Sequence, residues 1–380
     1  MIRNMRLISK MKAFKFLIFI VFIACTPSKD RNISTRSIPI DKEATSQTEA
    51  LFHNLRTISN EGILFGHQDD LAYGVYWKDE SGRSDVKDAS GSYPAVFGWD
   101  ISKLGQRSFN IDSVDFGKMK GWIKQAYQLG GINTISWHLD NPVSNGDSWD
   151  NTPAVYSILP GGEKHEWYKE KLDLFVHFLS DLNVDGVQIP IIFRPFHEHT
   201  GNWFWWGRGN CTSEEFTALW QFTVNYLKEE KDVHHLLYAY STDRFKSEDD
   251  YLDFYPGDEY VDILGYDDYH SIKTKEQRPE LIRQLKTIVK LAENRGKVAA
   301  LSESGYETIP VEDWWTSVLL EGLTSDTTAR KIAYCMIWRN AWPNHHYAPF
   351  EGHPSAPDFK KFKEDPFILF VDEVPIDMYK

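Results

Sequence analysis

Cysteine is scarce: the 380 residues contain only Cys25, Cys211 and Cys335. That count and spacing exclude a zinc ribbon or a disulfide-stapled scaffold. Cys335 falls in an apolar strand pattern and Cys211 in a loop. Both are expected as buried free thiols, although an oxidising compartment leaves their pairing open. Basic charge is also in deficit, with 42 Lys and Arg against 55 Asp and Glu and a formal charge of −13. Nucleic-acid binding depends on neutralising phosphates, so this balance argues against it. An anionic polysaccharide would be equally poorly held, and a neutral ligand fits better. No internal repeat is present. The first strand is not followed by a Gly-rich phosphate loop, because the turn at Gly66-His67-Gln68 lacks the spacing. The apolar run from Phe16 to Ala24 is too short to span a bilayer comfortably.

That run has another use. Arg3, Arg6, Lys10, Lys12 and Lys15 precede it as a basic leader, and it ends in Phe22-Ile-Ala-Cys25. This ending resembles a bacterial lipobox. The resemblance implies a signal peptide over residues 1–24, lipidation of Cys25 and attachment to the cell envelope by that lipid alone. Residues 25–45 then read as a lipidated cysteine and a polar, flexible tether. Residues 46–380 are then expected to form one large domain.

Along that domain, short apolar runs alternate with helical patterns. The runs cover 63–67, 95–99, 132–137, 188–194, 236–240, 261–266, 298–303 and 333–338. Their Ile, Val, Leu and aromatic content suits strands buried on both faces. Helical patterns cover 115–129, 166–182, 213–228, 278–294 and 311–321. Asn183 and Gly186 suit the exit from one of these helices into the next strand. Eight strand–helix units in order predict an α/β fold, a (β/α)₈ TIM barrel in one domain. At seven of the eight strand ends stand residues unlike the strands themselves: His67, Asp100, His138, His197-Glu198, Asp267-Asp268-Tyr269, Glu303 and Trp338-Arg339. The C-terminal rim of a barrel is where loops from different strands converge on a site.

Two of these residues are carboxylates with contrasting neighbours. Glu198 follows Arg194-Pro-Phe-His and precedes Trp203, Phe204, Trp205 and Trp206. An apolar, aromatic surround holds a carboxyl protonated, ready to donate. Glu303 lies between Ser302 and Ser304, and hydrogen-bond donors there, with Arg194 as the nearest candidate cation, would keep it ionised. Paired carboxyls of opposite protonation, set among indoles, suit the cleavage of a sugar–sugar bond.

At these residues the chain resembles glycoside hydrolase family 26, chiefly β-mannanases, over residues 46–380. The matching motifs are Leu64-Phe-Gly-His-Gln68, Trp137-His138, Arg194-Pro-Phe-His-Glu198 with Trp203, Gly265-Tyr-Asp-Asp-Tyr269, Ser302-Glu-Ser304 and Trp338-Arg339. The resemblance implies that Glu198 is the acid/base and Glu303 the nucleophile of a retaining double displacement. It implies that His197 and Tyr269 position the nucleophile and the sugar, and that Trp203 stacks near the scissile bond. It also puts His138, Trp338 and Arg339 along the non-reducing side and gives Asp267 an orienting role in substrate binding. The substrate is then mannan, galactomannan or glucomannan, and no metal or cofactor is called for. The long loops 139–164 and 340–359 are expected to close one end of the cleft and favour mannobiose.

Three other readings use the same residues. The same fold acting on β-1,3-xylan or mixed-linkage glucan is one. A non-catalytic glycan-binding lipoprotein would use Trp149, Trp203, Trp205, Trp206 and Trp342 but would not need two carboxylates. His197-Glu-His199 has the spacing of an amidohydrolase metal site, with His67 and His138 as further ligands. Its neighbouring proline and aromatics make a poor polar cage.

Overall fold

Strands buried on both faces carry the β-branched and aromatic runs listed above, and parallel pairing covers both faces with helices. The computed structural model of the chain describes residues 38–380. The leader, Cys25 and the tether up to residue 37 lie outside the described residues. Eight strands make up the barrel: β1 (Ile63–Gln68), β2 (Val96–Asp100), β3 (Ile132–Trp137), β4 (Ile191–Pro195), β5 (Leu236–Thr242), β6 (Ile263–Asp268), β7 (Val298–Ser304) and β8 (Tyr334–Ile337). Each pairs in parallel with the next, and β8 pairs with β1, so the sheet closes. The (β/α)₈ barrel expected from the alternation is the fold observed.

One strand begins later than expected. Val187–Gln188 pairs antiparallel with Asn183–Val184 in a small hairpin, and β4 starts only at Ile191. Its two-residue turn, Asp185-Gly186, has positive φ at both positions (52° and 80°). That geometry matches the twist of a tight hairpin, and Asp-Gly is a favoured pair for it. The helix patterns at 213–228 and 311–321 also end differently. The first runs as Ser213–Asn225 and finishes in a π-helical turn, Tyr226–Glu230. The second is regular only over Trp315–Leu320, itself a π turn, and Glu321–Thr324.

The N-terminal end of the barrel is plugged. Helix Ser46–Ile58, capped by the Thr45 hydroxyl, buries Leu51, Phe52, Leu55 and Ile58 against Leu64, Val96, Ile192, Leu237 and Val298 from the strands. The C-terminus seals the same face, with Tyr379 buried and donating to the Gly131 carbonyl (2.8 Å). Residues 40–45, assigned to the tether from their polarity, are instead fixed to this face. The Ile40 amide donates to Asp262 (2.8 Å), and buried Asp41 pairs with His234 (2.8 Å). Polar residues that satisfy buried partners look like linker in a sequence. No described helix is long and apolar enough to cross a membrane.

Sealing one end by side-chain packing makes the plug a stability element remote from the opposite rim. Leu55→Ala should cost about 2–5 kcal/mol, because it leaves a cavity where the side chain is fully buried. Urea unfolding followed by tryptophan fluorescence measures this.

Candidate active site

The site grows from a distortion in β7. Tyr266 aligns with Leu301 but Asp267 aligns with Glu303, so Ser302 is an extra residue in the ladder. Such a bulge re-aims the residues after it. Its hydroxyl bonds the Tyr266 carbonyl (3.1 Å), Asp267 Oδ1 (2.8 Å) and Ser241 Oγ (2.8 Å). Gly265 makes room, since a Cβ there would stand 2.5 Å from Ser302 Oγ.

Arg194, on β4, is buried and reaches two carboxylates. Nη1 donates to Asp267 Oδ2 (2.7 Å) and Nη2 to Glu303 Oε2. The other oxygen of Glu303 accepts from the Tyr269 hydroxyl (2.8 Å). Burial, then the charge on Glu303, pushes the tyrosine pKa well above its usual value, so the hydroxyl keeps its proton. Both oxygens of Asp267 are acceptors, from Arg194, Ser241 and Ser302, which favours its ionised form, while burial pushes its pKa up to about 7.

Glu198 sits on the loop after β4 in the left-handed region (φ 53°), two residues after Phe196 in the same region (φ 50°). Non-glycine residues pay for such backbone only where their surroundings enforce it. Here the Glu198 amide donates to the Ser241 carbonyl (2.9 Å), and Trp203 Nε1 donates to Glu198 Oε2 (2.7 Å). Burial, then the nearby charge of Glu303, holds the Glu198 carboxyl well above the ordinary range, and the indole bond opposes this.

The residues singled out in sequence divide accordingly. His138, His197, Glu198, Tyr269, Glu303 and Trp338 line one cavity of about 430 Å³, joined by Trp149, Phe204 and Tyr347. Trp203 touches the site through its bond to Glu198. Asp267, expected to bind substrate, is fully buried beneath Arg194 and acts through it. His197, expected to position the nucleophile and the sugar, lines the cavity with Glu303 and sets its Nε2 3.2 Å from His138 Nε2. Arg339 lies beyond the cavity lining, held by Tyr73 Oη (3.1 Å) and Asp112 (2.9 Å). His199 packs on Phe216 and Tyr240, away from His197, so the pair does not form the H-x-H cage. Trp205 and Trp206 are core residues. Cys335 is a buried free thiol as expected, while Cys211 is free but only half-buried.

Four contributors went unread in the sequence. Ser241 supports both Glu198 and Asp267, and its only signal was a hydroxyl pair closing an otherwise apolar strand. Asp100 stood out at its strand end without a role, and it holds His138 Nδ1 (2.8 Å). Lys273 and Glu307 on the cavity wall carried no signal.

A barrel whose rim sets a proton-bearing carboxyl across one cavity from an arginine-held carboxylate has the construction of a glycoside hydrolase. The sequence pattern of glycosyl hydrolase family 26 matches residues 40–353. A β-mannanase structure of that family from Bacteroides ovatus is 40% identical, with a TM-score of 0.84 over 88% of this chain and 98% of that one. A family 26 structure from Muricauda is 36% identical, with a TM-score of 0.84 over 91% and 96%. A mannan endo-1,4-beta-mannosidase of Bifidobacterium adolescentis is 32% identical over 362 residues, which cover 89% of this chain but 36% of that protein's length. The chain belongs to glycosyl hydrolase family 26.

The indole bond to Glu198 favours its ionised form. Trp203→Phe removes it and should raise the Glu198 pKa further. Activity is lost as pH rises through that pKa, so the alkaline limb of kcat/KM should move to higher pH. A limb that stays put or moves down would contradict the acid role.

Proposed function

We propose that the protein hydrolyses β-1,4-mannosidic bonds within mannan, galactomannan or glucomannan, with retention at the anomeric carbon. The observation that carries this reading is a carboxyl held protonated by burial, Glu198, on one cavity with a carboxylate bonded by Arg194 and Tyr269, Glu303, in a family 26 chain similar to mannanases over most of its length. Glu198 gives its proton to the glycosidic oxygen while a Glu303 oxygen attacks C1, and the bond from C1 to the leaving oxygen breaks. Ionised Glu198 then takes a proton from water. That water attacks C1, and the bond to Glu303 breaks. Tyr269 and Arg194 aim the nucleophile throughout. No residue role here needs a metal or cofactor.

The loop after β8 carries Tyr347 on the cavity wall, and Arg339 and Trp342 stand beyond it at 5.9 Å from each other. This arrangement supports closure of the non-reducing end and release of mannobiose. The leader and Cys25 support export and a lipid anchor in the bacterial envelope.

Incubation with mannan, galactomannan, glucomannan, β-1,3-xylan and mixed-linkage β-glucan, with chromatography of the products, tests the substrate. Mannans should be cut and mannohexaose should yield mannobiose early. Cleavage of xylan or β-glucan in preference, or a broad early ladder, would overturn the respective part. Glu303→Ala should abolish turnover of every glycoside. Glu198→Ala should keep more activity on aryl glycosides, whose leaving groups need no proton, than on unactivated oligosaccharides. Equal losses on both would contradict the division of roles.

A further inference from the structure

Among the described residues, the largest aromatic exposure outside the cleft is Tyr76, 79% exposed at the tip of a two-residue hairpin turn. Its backbone is left-handed (φ 71°), a conformation that an aromatic residue adopts at a cost and glycine adopts freely. The turn is nevertheless rigidly held. Buried Asp85 accepts from the Val75 amide (2.8 Å), Trp77 Nε1 (2.7 Å) and Asn340 Nδ2 (2.9 Å). One carboxylate thus ties the hairpin to the start of the loop after β8. Asn340 in turn fixes that loop by accepting from the Tyr347 and Ala348 amides (2.9 Å each). At the base of the same hairpin, Tyr73 supports Arg339. At its tip, the Tyr76 ring meets Phe350 edge-on (6.0 Å between centroids, 88°). Phe350 itself abuts His346 and His353.

Tyr76 stays largely open to solvent although Phe350 meets it. A fixed, solvent-facing aromatic ring on a hairpin tied to the loop that carries Tyr347 matches the apolar face of a pyranose. We propose that Tyr76 is a stacking platform for a neutral sugar unit of the polysaccharide, outside the catalytic cavity. The proposal rests on the glycan-hydrolase reading for its ligand class. A platform of this kind holds polymer near the cleft and adds nothing to the chemistry within it.

Affinity electrophoresis of the full chain, every form carrying Glu303→Ala so that the glycan is not cut, through gels containing galactomannan, glucomannan, β-1,3-xylan or mixed-linkage β-glucan reads binding without turnover. Tyr76→Phe should run as wild type. Tyr76→Ala should bind the retarding glycan about three- to tenfold more weakly, as expected for loss of one stacking contact. Tyr76→Gly suits the left-handed backbone and separates ring from fold. It should unfold at a temperature no lower than Tyr76→Ala yet lose the same binding. Alanine and glycine variants retarded like wild type, or a wild type that no gel retards, would overturn the platform. If the chain with Glu303 intact still cuts glycan in those cases, the hydrolase reading survives. If that chain cuts no glycan while Tyr76→Ala still loses retardation, that reading fails and the platform stands.

Discussion

The structure turns on one buried cation. Arg194 sits in the barrel interior with carboxylates at both ends of its guanidinium, and taking three charges out of water is costly unless geometry and hydrogen bonds offset it. The remaining acceptor capacity is met: Ser241 and Ser302 bond the second oxygen of Asp267, and Tyr269 the second oxygen of Glu303. The β7 bulge and the missing Cβ at Gly265 follow from this need, because Ser302 reaches Asp267 only if the ladder slips and the neighbouring strand leaves room. Asp267 anchors the guanidinium, and the guanidinium anchors the nucleophile.

That arrangement also makes Glu198 what it is. With Glu303 ionised nearby and aromatic side chains around it, a second carboxylate would face both desolvation and like-charge repulsion. Retaining a proton removes both penalties. The left-handed backbone at Phe196 and Glu198, held through the Ser241 carbonyl, points the carboxyl into the cavity instead of into solvent. Ser241 therefore couples the two halves of the site: its hydroxyl steadies the arginine cluster and its carbonyl steadies the acid.

Much of this was legible in the sequence because the signals were local. Strand β3 has the bounds its apolar run indicated, and Glu198 and Glu303 share a cavity as their strand-end positions implied. What was misread depended on partners distant in sequence. Asp267 looked like a rim residue, since nothing local says that a β4 arginine reaches over it. The contact of His197 with His138, which follows another strand, carried no local signal. Residues 40–45 read as tether because polarity marks linkers and buried polar contacts alike. The Asp185-Gly186 turn was the reverse case: a local hairpin signal was present and was read as a helix exit.

The two histidines complete the charge pattern. His138 Nδ1 must donate to Asp100, whose carboxylate also accepts from the Ser136 hydroxyl (2.9 Å) and the Ser102 amide (2.8 Å). The two Nε2 atoms, 3.2 Å apart, share a single proton. Burial alone would lower the His138 pKa, but Asp100 outweighs it and the pKa lies above the ordinary value. Burial, then Arg194, then His138, hold His197 well below. His138 is therefore the more readily protonated of the pair. Asp100 thus stands against His138 and Asp267 against Arg194. Glu303 shares Arg194 and lines the cavity, placed where positive charge develops on the sugar as its bond breaks.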